Sequence, residues 1–147
     1  MKKVFLSILI TISILIVTGC NKKIDEIKNN NISDEVTKSM KAIINDKEYI
    51  INLEDNETTK RIIEVLPLEL KMNELNGNEK YAYLDISLPI NSYNPKRINK
   101  GDIMLYGDNC LVLFYKSFDT SYSYTKIGHI DNLPDLGNEN ITVKIEK

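Results

Sequence analysis

The residues best suited to binding a ligand are tyrosines, and two of them have neighbours too polar for a strand of the hydrophobic core. Tyr122 and Tyr124 alternate with hydroxyl residues in the run Ser-Tyr-Ser-Tyr-Thr, which is too polar for a purely buried strand. A tyrosine ring offers apolar area with one polar tip, which suits a peptide or a small ligand. We therefore predict a groove lined by Tyr83, Tyr106, Phe114, Tyr122 and Tyr124, with Arg97, Glu79 or His129 as polar anchors.

Several of these residues also have an ordinary structural explanation. Phe114 and Tyr106 lie in apolar runs and could belong to the core, and His129 could be a surface histidine. Asp102 follows Gly101, where a carboxylate commonly accepts hydrogen bonds from backbone N–H groups of a turn. The tyrosines among the hydroxyl residues therefore carry most of the binding hypothesis.

Side chains for catalysis are scarce. The chain has one histidine and two cysteines, and it shows no metal-ligand spacing, phosphate-binding loop or nucleophile triad. Cys110 directly precedes an apolar run, so we expect a buried, inert thiol that behaves as a small hydrophobe. A catalytic thiol would need a neighbouring base or a lowered pKa. We expect no catalytic residue, no metal and no cofactor.

The N-terminus has the pattern of an export signal. Lys2 and Lys3 precede an apolar run over residues 4–17, shorter than the roughly 20 residues that span a bilayer but typical of a signal peptide. Residues 17–20, Val-Thr-Gly-Cys, resemble the bacterial lipobox, which implies cleavage before Cys20 and lipidation of its thiol. The alternative is a plain transmembrane anchor. We expect a signal peptide over residues 1–19 and a lipid-anchored protein on the extracytoplasmic face of a bacterial envelope.

The next stretch, residues 20–39, is polar and rich in asparagine, so it cannot bury enough surface to offset its ordering entropy. We interpret it as a flexible tether to a single domain over residues 40–147. The formal charge of the chain is −2, and removal of Lys2 and Lys3 would leave 17 basic against 21 acidic residues, or −4. A mildly acidic chain without a basic run is a poor nucleic-acid binder. We expect a monomer whose partners are the membrane and a ligand.

Period-two alternation predicts most of the domain as strands. The predicted strands are residues 40–45, 48–53, 68–73, 81–88, 103–106, 111–115, the stretch around Tyr122 and Tyr124, and 141–146. Between the second and third, Asn56 has the character of a helix N-cap, and Pro67 ends the helix at Leu66. Residues 133–136 could form a second helical turn. About eight strands with one or two short helices indicate a mainly β barrel or sandwich.

Two of the predicted strands are apolar on both faces. Residues 103–106 and 111–115 contain almost no polar side chain, so both of their faces must be covered. In an antiparallel protein this pattern suggests a barrel wall that carries a helix on its outer side.

The order of these motifs resembles the bacterial cyclophilin-like domain family. The resemblance covers about residues 40–147 and rests on a hairpin, a helix ending in Leu-Pro at 66–67, and Gly-Asp-Ile at 101–103. It continues with Leu-Phe-Tyr at 113–115, Ser-Tyr-Ser-Tyr-Thr at 121–125 and Ile-Gly-His-Ile at 127–130. It implies a closed eight-stranded antiparallel barrel with two helices, but no particular function.

Cyclophilins that isomerise prolyl bonds carry an arginine on a barrel strand, in a Phe-His-Arg context. This chain has no such motif, and Arg61 and Arg97 both lie outside the predicted barrel strands. The barrier to be lowered is about 18–20 kcal/mol, and a site without that cation has little means of lowering it. We therefore expect a non-enzymatic module that binds a peptide or a small ligand. The alternatives are an extracytoplasmic prolyl isomerase and a structural envelope protein without a ligand.

Overall fold

Eight antiparallel strands close into a barrel in the computed structural model, which describes residues 38–147. The elements are β1 (Ser39–Ile44), β2 (Lys47–Leu53), α1 (Glu57–Val65), β3 (Leu68–Leu75), β4 (Glu79–Tyr83), β5 (Arg97–Ile98), β6 (Asp102–Tyr106), β7 (Cys110–Phe114), β8 (Phe118–Asp119), β9 (Thr125–Ile130) and β10 (Ile141–Glu146). Around the barrel the order is β1-β10-β3-β4-β7-β6-β9-β2, while β5 and β8 pair with each other outside it. The predicted fold class, a closed eight-stranded antiparallel barrel with one or two short helices, is confirmed, and α1 is the one helix among residues 38–147.

The predicted signal peptide, Cys20 and nearly all of the predicted tether lie outside the described residues. Within residues 38–147, no helix is long and apolar enough to cross a membrane.

The barrel interior follows from the period-two pattern. Alternate residues of β1, such as Met40, Ala42 and Ile44, are buried in one apolar cluster with residues from the other barrel strands. The β1–β2 hairpin turns at Asn45 and Asp46, whose φ angles of 49° and 61° are the left-handed values expected for this turn. The turn sets the register that directs the apolar residues inward.

Helix α1 begins and ends close to the expected residues. The Asn56 side chain accepts a hydrogen bond from the Thr59 N–H at 2.9 Å, and its amide donates to the Lys126 carbonyl at 2.8 Å. The helix ends at Val65, because Leu66 is extended ahead of Pro67. Ile62 is buried in the interior cluster, so α1 packs directly onto the barrel core.

The outer face of β6 and β7 is covered by loops, and the predicted outer helix is not there. Met104, Val112 and Phe114 belong to a second apolar cluster on this face. Cys110 of β7, Ile98 of β5 and Tyr124 of the loop before β9 complete that cluster, with Phe118 of β8 packed against it. The prediction that both faces of β6 and β7 are covered was correct. The covering segments are loops joined by the two-residue strands β5 and β8, and the cover is not a helix.

The predicted strand over residues 81–88 ends at Tyr83. Beyond it, the Leu84 N–H donates to the Asn109 carbonyl at 2.8 Å and the Leu88 N–H to the Asp108 carbonyl at 2.7 Å. The chain therefore bonds to the β6–β7 turn and leaves the ladder. Leu84 and Leu88 remain buried, which explains why the alternating pattern continued past the end of the strand.

The predicted helical turn over residues 133–136 is an irregular loop in the described structure. Pro134 disfavours the helical conformation of the residue before it, and the Asp135 carboxylate accepts from the Gly137 N–H at 2.9 Å.

Lys80, fully buried, donates from Nζ to the carbonyls of Gly137 at 2.6 Å and Glu139 at 2.7 Å. Burial lowers the pKa of Lys80. These bonds fix the loop against the barrel.

The Asn56 cap provides a test of the fold. Asn56→Ala removes both the cap and the bond to the Lys126 carbonyl, and we expect it to lower the free energy of unfolding by about 2 kcal/mol. Asn56→Ser keeps a capping oxygen and should cost about 1 kcal/mol. Urea unfolding followed by far-UV circular dichroism would measure both. Equal losses for the two variants would show that the cap contributes nothing.

Candidate functional site

The site lies on the outer face of the barrel, where three neighbouring strands present aromatic side chains. Tyr83 of β4 is paired with Cys110 of β7, which is paired on its other side with Tyr106 of β6. Directly paired residues of antiparallel strands point to the same face. Cys110 therefore forms a floor with a tyrosine on each side.

The next outward-facing residues of β4 and β7 are also paired with each other. Tyr81 of β4 pairs with Val112 of β7, and Glu79 pairs with Phe114. The rings of Tyr81 and Tyr83 meet edge to face, with centroids 5.9 Å apart and an interplanar angle of 82°. Strand β4 thus contributes two tyrosines and a carboxylate to the same outer face.

The loop between β8 and β9 supplies two further rings. Tyr124 is fixed by reciprocal backbone hydrogen bonds of 3.0 Å with Tyr93, and the Tyr122 N–H donates to the Thr120 hydroxyl at 3.1 Å. The Tyr106 ring lies between them, with its centroid 5.7 Å from that of Tyr124 and 6.1 Å from that of Tyr122. These contacts hold the loop rings against the barrel strands.

Together these residues enclose an open space of about 320 Å³, which we call the tyrosine pocket. Its lining residues are Leu75, Asn76, Glu79, Tyr81, Tyr83, Tyr106, Cys110, Val112, Tyr122 and Tyr124. Tyr83 and Tyr122 are more than half exposed and Tyr106 nearly so, whereas Tyr124 is buried. The volume lies at the lower end of ligand sites.

Four of the five residues predicted to line the groove do line the pocket, and so does Glu79, one of the three predicted polar anchors: Tyr83, Tyr106, Tyr122, Tyr124 and Glu79. Phe114 does not, because it is fully buried beneath Tyr124, with ring centroids 5.5 Å apart. Arg97 does not line it either, because its guanidinium bonds to Asp119 at 2.8 Å in the pair of short strands.

Sequence reasoning missed Tyr81 and the floor formed by Cys110 and Val112. Tyr81 shares its face with Tyr83 by period-two spacing, so its position was available from the sequence. The floor was not, because it requires the pairing of β4 with β7.

Glu79 is the only side chain among the pocket-lining residues that is charged at neutral pH. Burial raises the pKa of its carboxyl, and the nearby Glu74 raises this pKa further. Burial and, to a lesser extent, the Glu79 charge also raise the pKa values of Cys110 and of Tyr124, the latter to about 12. A thiol with a raised pKa is a poor nucleophile, so Cys110 acts as packing at the pocket floor.

His129 lies in a polar cluster apart from the pocket. Its Nδ1 is 3.0 Å from Oδ1 of Asp102, and Lys126 Nζ is 3.7 Å from the same oxygen. The other oxygen of Asp102 accepts from the Asn99 N–H at 2.8 Å, which confirms the predicted turn acceptor. At Gly101 a side chain is excluded, because a Cβ would lie 2.2 Å from the Ile130 carbonyl oxygen. Gly101 and Asp102 therefore have a structural role where β6 meets β9.

The arginines are also placed away from the pocket. Arg61 pairs with Glu64 at 2.6 Å on the exposed side of α1, and Arg97 pairs with Asp119. Among residues 38–147, no group of three or more histidine, cysteine or acidic side chains is placed to hold a metal ion.

The closed eight-stranded antiparallel barrel with a short helix is consistent with a cyclophilin-like fold, and the comparison with protein families agrees. The model of the cyclophilin-like family matches residues 42–146. The chain therefore belongs to the cyclophilin-like family. No curated protein and no solved structure matches it.

The buried tyrosines provide a test of the electrostatics. Burial raises the pKa values of Tyr115 and Tyr124 to about 12, from 10.0 for a free tyrosine. The unfolded chain therefore releases these protons first, and the stability of the fold should decline as the pH rises from 10 towards 12. Ultraviolet titration of the wild type and of Tyr124→Phe should differ by one tyrosinate that forms near pH 12. A difference that appears near pH 10 would contradict the burial of Tyr124.

Proposed function

We propose that this protein is a lipid-anchored, extracytoplasmic binding module that holds a peptide or a small ligand in the tyrosine pocket. The observation that carries the proposal is the open aromatic pocket itself. Five tyrosines surround the pocket without filling it: Tyr81, Tyr83, Tyr106, Tyr122 and Tyr124. Tyrosine rings left exposed around a concave surface are typical of binding sites.

The pocket is assembled before any ligand arrives. Tyr106 packs against both loop rings, and the Tyr93–Tyr124 backbone bonds hold the loop against the barrel. A ligand therefore meets rings whose orientation is already fixed, which reduces the entropy lost on binding. The sheet behind the pocket is equally firm, because Cys110 and Val112 belong to the outer apolar cluster.

The sequence before the domain supports the anchoring part of the proposal. The positive start, the apolar run over residues 4–17 and the lipobox-like residues 17–20 together indicate export and lipidation of Cys20. Each CH₂ group of an acyl chain buried in a bilayer contributes about 0.8 kcal/mol. A polar stretch between Cys20 and β1 would leave the domain free to face the solution.

Ligand titration followed by NMR tests the pocket. With a panel of short proline-containing peptides and small aromatic ligands, we expect shifts of the Tyr106 and Tyr122 ring signals. Tyr122→Ala should weaken the best ligand about tenfold or more, because an exposed ring at the centre of a contact contributes strongly.

Ile50→Ala is the matched control, since Ile50 is exposed on β2 and does not line the pocket. Absence of shifts at both tyrosines across the panel would refute the binding proposal. Accelerated cis/trans exchange of the prolyl bonds would favour the prolyl isomerase alternative over a non-enzymatic module.

Substitution of Cys20 tests the anchor. In a bacterial host supplied with labelled fatty acid, Cys20→Ser should abolish the label on the protein and release the domain from the membrane fraction. Cys110→Ala should retain the label, because the Cys110 thiol is buried in the outer cluster. Labelling of the Cys20→Ser protein would show that the lipobox interpretation is wrong.

A further inference from the structure

We propose that the tyrosine pocket selects a compact organic cation, a substituted ammonium group whose charge faces the Glu79 carboxylate and whose alkyl groups contact the tyrosine rings. This inference rests on the proposed binding function of the pocket and adds the chemical class of its ligand. Three features support this inference: a carboxylate without a partner, pairs of tyrosine rings nearly perpendicular to each other, and the lack of a cationic side chain among the lining residues.

The first feature is the environment of Glu79. Its carboxylate makes no hydrogen bond or ion pair with any other residue of the described range 38–147, although it lies among apolar and aromatic side chains. Glu79 is half-buried, and partial loss of water without a compensating partner is unfavourable for a carboxylate. Burial accordingly raises the pKa of Glu79. A cation bound in the pocket would supply the missing counter-charge.

The second feature is the geometry of the rings. Tyr106 and Tyr122 stand at 90° to each other, and Tyr81 and Tyr83 stand at 82°. Each pair forms an aromatic corner on the same outer face of the barrel. Aromatic rings in such arrangements attract alkylammonium groups through their quadrupoles, which present negative charge at the ring face.

The third feature is the charge of the surroundings. Glu79 is the sole ionised group in the lining given above, and the adjacent Lys80 is turned away from the pocket. Its Nζ is held by the carbonyls of Gly137 and Glu139. No lining residue therefore neutralises Glu79 or repels an incoming cation. The volume of about 320 Å³ suits a small headgroup.

The titratable groups around Glu79 determine the pH dependence of binding. Those facing the pocket are Tyr81 and Tyr83 of β4, Cys110 of β7, Tyr106 of β6, and Tyr122 and Tyr124 of the loop before β9. Glu74 of β3 also acts on Glu79, but its carboxylate accepts hydrogen bonds from the Tyr115 hydroxyl and the Gly77 N–H. Cation binding should weaken as the pH falls through the raised pKa of Glu79.

Choline and its neutral carbon isostere, 3,3-dimethyl-1-butanol, test the inference directly. NMR titration of the protein at constant ionic strength should show choline binding about tenfold more tightly than the alcohol. Glu79→Gln should weaken choline about tenfold or more, leave the alcohol unchanged and remove the pH dependence. Tyr122→Leu should weaken choline about fivefold. Glu69→Gln, an exposed change of the same charge on β3, should have no effect.

The outcomes separate this inference from the proposed function. If the alcohol binds as tightly as choline, or if Glu79→Gln leaves choline binding unchanged, the cation inference is overturned while the pocket remains a binding site. If neither compound shifts the tyrosine signals and the peptide and aromatic panel also fails, both proposals are overturned.

Discussion

The structure depends on one constraint: strands β6 and β7 are apolar on both faces, so the barrel alone cannot bury them. Leu105 and Leu111 face the interior cluster, whereas Met104 and Val112 face outward. Full burial of such a side chain contributes about 1.5–3 kcal/mol, so leaving the outer row in water would sacrifice much of a domain's net stability. The segments around β5 and β8 provide the cover, and their own strands are too short to persist without the surface beneath them.

The loops cover only part of the outer face of β6 and β7, and the tyrosine pocket lies over the part that they leave open. Ile98 and Phe118 pack over Phe114 at one end of the outer row, and Tyr124 continues the cover towards the middle. At the other end, Cys110 lines the open tyrosine pocket, with Tyr83 and Tyr106 opposite it on the two neighbouring strands. The same arrangement therefore gives stability at one end and an accessible aromatic surface at the other, with Glu79 as its single charge.

Much of the fold could be predicted from local chemistry. The β1–β2 hairpin, the Asn56 cap and the need for cover on β6 and β7 follow from alternation, capping and burial, which act over a few residues. The strand past Tyr83 was predicted wrongly, since Leu84 and Leu88 keep the alternation while their amides bond to the β6–β7 turn. The nature of the cover was not predictable, because β5, β8 and the Tyr93–Tyr124 bridge arise from long-range contacts. For the site, the exposure of Tyr122 was recognisable from its polar neighbours. The same reasoning was wrong for Tyr124, which is buried in the outer cluster, and the burial of Tyr124 and Phe114 depends on long-range contacts.

The proposed ligand of the aromatic pocket, which carries one carboxylate on the outer wall of the barrel, is a cation. A crystal grown with tetramethylarsonium tests it most directly, because anomalous scattering locates the arsenic without reference to any assumed pose. We expect one strong arsenic peak within about 6 Å of the Tyr106 or Tyr122 ring centroids and facing Glu79, and we expect Glu79→Gln to lose it. An empty pocket at saturating tetramethylarsonium, or a peak that persists unchanged in Glu79→Gln, would show that the pocket is not a cation site.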